Sequence, residues 1–275
     1  SVDHRENLVF WHMAHSFVRG NWREEATSGP MILAKCCHDL DMLHWILGQE
    51  VVHLSSFGSL TYFRPENAPE GATLRCTDGC PVAEECKYYA PRLYARDTNG
   101  WPWNALTLTQ TVEARMEALR TGPYGRCVWH CDNDVVDHQT VIMELEDGTT
   151  VNLLMQGQGN EECRTMRYDG TEATLYAKFL YGKDQITIRD HRTGKEEHID
   201  IPTGMGGHGG GDFGIMESFI KALRGEPDES ITTARESLES HLLAFAAEEA
   251  RLNHSVIHMP TYRAKVEAAA RESYA

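Results

Sequence analysis

Long apolar runs are missing from this sequence. No stretch of the 275 residues approaches the roughly 18 to 20 apolar residues that span a bilayer, which excludes a helical membrane anchor within it. Basic residues are also in deficit. The 26 Lys and Arg stand against 41 Asp and Glu, a formal charge of −15 that repels a phosphate backbone and argues against a nucleic-acid partner. Ser1 to Asn7 are polar and charged and carry no export signal, so the expectation is a cytoplasmic protein with no membrane partner. A C-x2-C pair of the zinc-ribbon kind is absent too, although there are eight cysteines. In a reducing compartment such cysteines read as thiols or metal ligands and not as a disulfide framework.

What is present is an ordinary globular composition, 41% hydrophobic and 24% charged, enough for a sizeable core. Val2 to Val9 reads as a strand. Ile32, Leu33, Leu40, Leu43 and Ile46 recur at helical spacing with Gly48 as the stop, predicting a helix from about Met31 to Leu47. Val51 to Phe63 is rich in β-branched and aromatic residues and predicts a strand.

Residues 64–125 break the pattern. They hold six prolines, three cysteines and only short helical pieces such as Thr111 to Arg120, yet are too aromatic to be disordered, so they are expected as an insertion packed against the core. From Val135 a meander follows, with Asp147-Gly148 and Asp169-Gly170 as hairpin turns. Its strands are Val135 to Leu145, Thr150 to Gly157, Arg164 to Tyr168, Ala173 to Phe179, Gln185 to Arg189 and Glu196 to Ile201. Two helices close the chain, Phe213 to Leu223 and Thr232 to Asn253, with Thr232 and Thr233 as candidate caps and Asp212 as the cap of the first. This order predicts one α+β domain over residues 1–275: an open, mostly antiparallel sheet with helices on one face.

Gly204, Gly206 and Gly209 satisfy G-x-G-x-x-G but lack the strand, helix and second parallel strand of a dinucleotide site. They read as a flexible turn from which His208 could reach a substrate.

The segments His15-Ser16-Phe17-Val18-Arg19-Gly20-Asn21-Trp22-Arg23, Met31 to Asp41, Gly207 to Phe213 and Glu236 to His241 resemble the glucose-fructose oxidoreductase/inositol dehydrogenase/MocA (Gfo/Idh/MocA) family, and in order they cover nearly the whole chain. The resemblance implies the second domain of an oxidoreductase, an open sheet that lines a substrate cleft on one side and forms homo-oligomer contacts on the other. It also implies a preceding Rossmann domain of about 120 residues that holds NAD or NADP and a Glu-Lys-Pro lysine, neither of which is here. The chain by itself is therefore expected to be inactive.

By the same resemblance, the helix carries an Asp-x-x-x-His pattern whose His borders the reacting hydroxyl. His38 keeps the His, while Ala34 stands where the Asp is expected and Lys35 sits beside it. Lys35 and His38 are three apart and fall near one helix face, so both can address one substrate, with His38 as the proton acceptor of a hydride transfer. Asp39 and Asp41 read as structural, at the helix entry. His12, His15, Arg19, Trp22 and Arg23 precede the helix in a loop rich in donors and aromatic faces, a set suited to a sugar.

The implied function is an NAD(P)-dependent dehydrogenase acting on a sugar, cyclitol or glycoside. An NAD-dependent glycosidase of the same family and a stand-alone, non-catalytic binding module remain as alternatives. Cys76, Cys80 and Cys86 form C-x3-C-x5-C, and Cys127 and Cys131 form C-x3-C. The first three are candidate ligands of a structural zinc or iron–sulfur site stapling the insertion, with the fourth ligand open. Cys36, Cys37 and Cys163 read as small hydrophobes.

Overall fold

The computed structural model describes residues 1–180, 184–201, 204, 206–227 and 232–273. Nine strands form one open sheet: β1 Val2–Val9, β2 Val51–Ser59, β3 His138–Leu145, β4 Thr150–Gly159, β5 Cys163–Asp169, β6 Ala173–Phe179, β7 Gln185–Asp190, β8 Glu196–Asp200 and β9 Val256–His258. Their order is β8-β7-β6-β5-β1-β4-β3-β2-β9. All neighbours are antiparallel except β1 and β4, which run parallel, so the first strand is threaded into the middle of the later meander. The fold is α+β, as the order of elements predicted.

The helix α1 (Phe10–His12) widens directly into a π-helical stretch over Met13–Arg19. Residues 10–19 are thus helical and not the expected loop. The stretch ends where Gly20 turns to extended backbone, a position that takes glycine because a Cβ there would lie 2.6 Å from the His15 carbonyl oxygen. After a single turn, α2 (Glu25–Ser28), the main helix α3 (Met31–Leu47) follows and stops at Gly48 in the left-handed region. The insertion contributes α4 (Ala90–Tyr94) and α5 (Val112–Thr121), the latter capped by Thr111. Helices α6 (Gly211–Arg224), α7 (Ala234–Asn253) and α8 (Met259–Ser273) end the chain.

Ile32, Cys36, Leu40 and Leu43 of α3 and Leu243, Ala246 and Ala250 of α7 share one core with Val141, Met143, Leu153 and Met155 of the sheet. The opposite face leaves Phe57, Ile142 and Tyr176 exposed. Tyr88 joins the insertion to the main core, while Cys76, Ala90, Tyr94 and Leu119 form a small core of the insertion's own.

Several boundaries differ from expectation for local reasons. The strand after α3 ends at Ser59 because the Asp137 carboxylate accepts the N–H groups of Thr61 (3.0 Å) and Tyr62 (2.6 Å) and draws the chain off the sheet. Thr233, not Thr232, caps α7, in a reciprocal capping box with Glu236. Asp212 does not cap α6, because it lies inside the first turn and takes His208 Nδ1 at 2.7 Å. Strand β9 and helix α8 were not anticipated: β9 is three residues long, and the polar α8 buries only Met259 fully.

Candidate functional site

β1 supplies the unusual feature from which the site grows. Its inward positions are Val2, His4, Glu6 and Leu8, so two ionisable side chains enter the interior beside apolar ones. Such groups persist only with partners. α3 provides them: His4 Nε2 lies 2.7 Å from Asp39 Oδ1, and Arg164 of β5 donates to both Asp39 oxygens at 2.8 and 3.2 Å. Arg164 also lies 3.0 Å from Glu6 Oε2, off the line of a hydrogen bond, so that contact is ionic. The Glu6 Oε1 atom lies 3.1 Å from Lys35 Nζ, which donates at 3.1 Å to Glu162 Oε1. Glu162 closes the chain by accepting from His12 Nδ1 (3.0 Å) and from the Val9 N–H (2.9 Å).

A continuous ladder results: His4, Asp39, Arg164, Glu6, Lys35, Glu162, His12. It is sealed at the His4 end, where both side chains have no exposure, and reaches solvent at the His12 end, where His12 and Glu162 keep 16% and 18%.

The ladder sets the charge states. Burial first, then the neighbouring Asp39, pushes the Glu6 carboxyl up from 4.5 to about 7, against the pull of Lys35 and Arg164. Asp39 goes the other way, since the His4 and Arg164 contacts outweigh its burial and hold it below the usual range. Burial would also raise Glu162, but His12, Lys35 and the Val9 N–H hold it low. An ionised carboxylate only accepts hydrogen bonds, so the His12–Glu162 contact places a proton on His12 Nδ1. His12 meets Trp101 edge to face at 4.6 Å, and Trp101 packs on Trp11 at 5.5 Å, giving the open end an aromatic wall.

The anticipated residues separate into three groups. Lys35 and His12 belong to the ladder, and His38 is exposed one turn beyond Lys35 on α3, which turns Lys35 toward the sheet and His38 toward solvent. Asp39 is structural, but as an anchor of α3 to β1 and β5, not at the helix entry.

His15 and Arg19 are enclosed and do not face a cleft. His15 stacks on Tyr124 at 4.6 Å and contacts the Tyr94 hydroxyl at 3.0 Å, and burial, His12 and Arg19 drive its pKa down to about 3, so it is neutral. Arg19 is fully buried and donates to the carbonyls of Arg126 and Tyr88. Trp22 is 41% exposed and stacks on Phe17, whereas Arg23 is held by Asp132. His208 is exposed on its glycine turn.

Glu6, Glu162 and Trp101 were missed. The inward parity of Glu6 in β1 was the available signal, while Glu162 comes from a turn that only the fold brings to Lys35, and Trp101 from a loop of the insertion that it brings to Trp11, His12 and His15.

The glycine turn leads through α6 and α7 to β9, an antiparallel edge strand, so no βαβ unit for a dinucleotide exists among the described residues. No helix among them is long and apolar enough to cross a membrane. Nor are three or more His, Cys, Asp or Glu side chains gathered as ligands of one metal ion.

The family profile described as the oxidoreductase family, C-terminal alpha/beta domain, matches residues 1–258. The chain belongs to the Gfo/Idh/MocA family. YteT of Bacillus subtilis (strain 168), classed by its name among the oxidoreductases, is 25% identical over 235 residues, covering 80% of this chain and 53% of that protein. The chain thus spans about half the length of this relative. A levoglucosan dehydrogenase solved with NADH and levoglucosan superposes with a TM-score of 0.57 at 12% identity, over 93% of this chain and 57% of that one. An aldose-aldose oxidoreductase from Caulobacter crescentus, solved with glycerol, gives 0.53 at 11% identity over 94% and 54%. At these identities the structural likeness concerns the fold.

Proposed function

We propose that this chain is the substrate-binding half of an NAD(P)-dependent dehydrogenase acting on a sugar, cyclitol or glycoside. What supports this reading is α3, which fixes Lys35 between Glu6 and Glu162, with Glu162 held in turn by His12 at an open end walled by Trp101, and which presents His38 to solvent one turn on. In this reading His38 accepts the proton of the hydroxyl being oxidised. Lys35 acts behind it by holding Glu162 and, through Glu162, His12 in place, while Trp101 packs on the ring C–H face and His12 and Trp22 offer further contacts. Arg23 and His208 are outer contacts. NAD or NADP, as hydride acceptor, would be held by a further domain, since the described residues offer no fold for it. Two surfaces support additional protein: α6 exposes Phe213, Ile215, Phe219 and Leu223, and the outer sheet face exposes Phe57, Ile142 and Tyr176, the latter suited to a homo-oligomer.

The test is the full-length protein assayed with NAD and NADP against a panel of sugars, cyclitols and glycosides. Net accumulation of reduced nicotinamide is expected, and His38→Asn should lower kcat/KM by about 10² to 10⁴. Glycoside cleavage without accumulation would assign the glycosidase reading instead. A His38→Asn enzyme within about threefold of wild type would remove His38 from the proton transfer.

A further inference from the structure

The insertion holds a second assembly that the ladder does not use. Cys76, Cys80, Cys86 and Cys127 line one pocket between the insertion and the π-helical stretch. Cys127 joins the other three from 41 residues beyond Cys86, because Cys76 N–H donates to Gly125 O and Cys127 N–H to Leu74 O, tying the two segments side by side. Cys131 is not in this wall; its thiol is turned to the Cys127 carbonyl at 3.2 Å.

Arg19 forms part of the same wall. It has no exposure, and two of its donors end on carbonyls. Its Nη2 also points at Cys76 Sγ at 3.6 Å, while Nη1 meets no acceptor. No carboxylate pairs with it among the described residues. A guanidinium in that position calls for a negative charge nearby, and the anion-capable side chains around it are the Tyr94 phenol and the thiols of Cys76 and Cys131. The other fully buried arginine, Arg115, has three neutral acceptors, the carbonyls of Arg96 and Thr98 and Gln110 Oε1, and leaves only Nε unpaired.

The backbone also offers donors to sulfur. The N–H groups of Val82, Tyr88 and Trp129 are directed at the thiols of Cys80, Cys86 and Cys127, each two residues earlier in the chain. Repeated N–H···S contacts of this kind stabilise thiolates and tune metal–sulfur centres.

We propose that Cys76, Cys80, Cys86 and Cys127 are the four ligands of an iron–sulfur cluster of the [4Fe–4S] type. Each thiol gives up its proton to solvent on ligation. The four thiolate charges exceed the positive charge of the iron–sulfide core, and the resulting net anion is the missing counter-charge of Arg19. A lone zinc ion on the same four thiolates would also be a net anion, and the iron and sulfide counts below separate it from the cluster. The cluster would fasten an insertion that has only a small core of its own to the substrate domain. This inference is independent of the dehydrogenase reading.

The decisive experiment is iron and acid-labile sulfide analysis of the full-length protein, prepared without oxygen and reconstituted with ferrous iron and sulfide. The expected result is about four of each per chain, a broad visible absorption bleached by dithionite, and four of the eight thiols protected from alkylation. Cys86→Ala and Cys127→Ala should each lower iron content by roughly tenfold, whereas Cys131→Ala and Cys163→Ala should retain it. If the ligand variants fail to fold, the iron, sulfide and thiol counts of the wild-type protein decide alone. One zinc per chain without sulfide overturns the cluster, and eight freely reacting thiols without metal overturn the site.

Discussion

Two buried cationic sites, one at the ladder and one at the cysteine pocket, are built on opposite principles. Between α3 and the sheet, Arg164 and Lys35 alternate with Asp39, Glu6 and Glu162, so each buried cation touches carboxylates supplied by the same chain. Beneath the insertion, Arg19 is more deeply enclosed and meets carbonyls, a thiol and the Tyr94 phenol but no carboxylate among the described residues. Desolvating a charge costs several kcal/mol wherever it happens, so the two sites differ in where compensation comes from. The ladder is complete as folded. The cysteine site becomes complete only when something anionic is assembled in it.

The sharpest test of that contrast removes an anion from the complete site. Asp39→Ala deprives His4 and Arg164 of their shared partner at a position with no exposure, and the expected cost is about 3 to 5 kcal/mol in urea unfolding. Asp39→Asn keeps the size and part of the hydrogen bonding and should cost less. Equal, small losses in both variants would show that the ladder's charges are not coupled to folding.

A smaller effect follows from Glu6, whose pKa rises from 4.5 to about 7. The folded protein holds this proton more tightly than the unfolded chain, so stability from Glu6 is greatest below pH 4.5 and declines as pH climbs toward 7. At about 1.4 kcal/mol for each pH unit, the decline amounts to at most about 3 to 4 kcal/mol. Asp39 and Glu162, held low, act in the reverse sense and lose their contribution as pH falls. Comparing wild type with Glu6→Gln isolates the Glu6 part. The two should unfold together near pH 4.5, with the Gln variant the more stable above pH 7. A difference independent of pH would mean that Glu6 is ionised throughout.

These sites also show what could be read from the sequence. The period of α3, the Asp-Gly turns and the alternation of the meander are local signals, and the corresponding elements formed close to their expected bounds. Lys35 and His38 came from the same helix and the family pattern. The ladder's other half was not legible, because Glu162 belongs to a turn between β4 and β5, and it reaches Lys35 only once β1 is inserted beside β5. Arg19 and His15 look like sugar-binding donors when residues 10–19 are taken as a loop. The π-helix turns both inward, and no local pattern announces it. Cys127 stayed unassigned for a similar reason, since its distance along the chain from Cys86 says nothing about the pairing of residues 74–76 with 125–127.

The smallest expected effect bears on the other side of the contrast. In metal-free protein, Arg19→Met removes hydrogen bonds to the Arg126 and Tyr88 carbonyls but also removes an uncompensated charge. The two terms oppose each other, and the net loss should be about 1 to 3 kcal/mol, below that of Asp39→Ala. After reconstitution with iron and sulfide the order should reverse, because the same substitution then strips a buried anion of its counter-charge. Urea unfolding of Arg19→Met and wild type, each with and without reconstitution, measures both quantities. A metal-free loss as large as that of Asp39→Ala would show that carbonyls alone satisfy Arg19. The two sites would then be alike in kind, and the thiol-lined pocket would have no electrostatic need of an occupant.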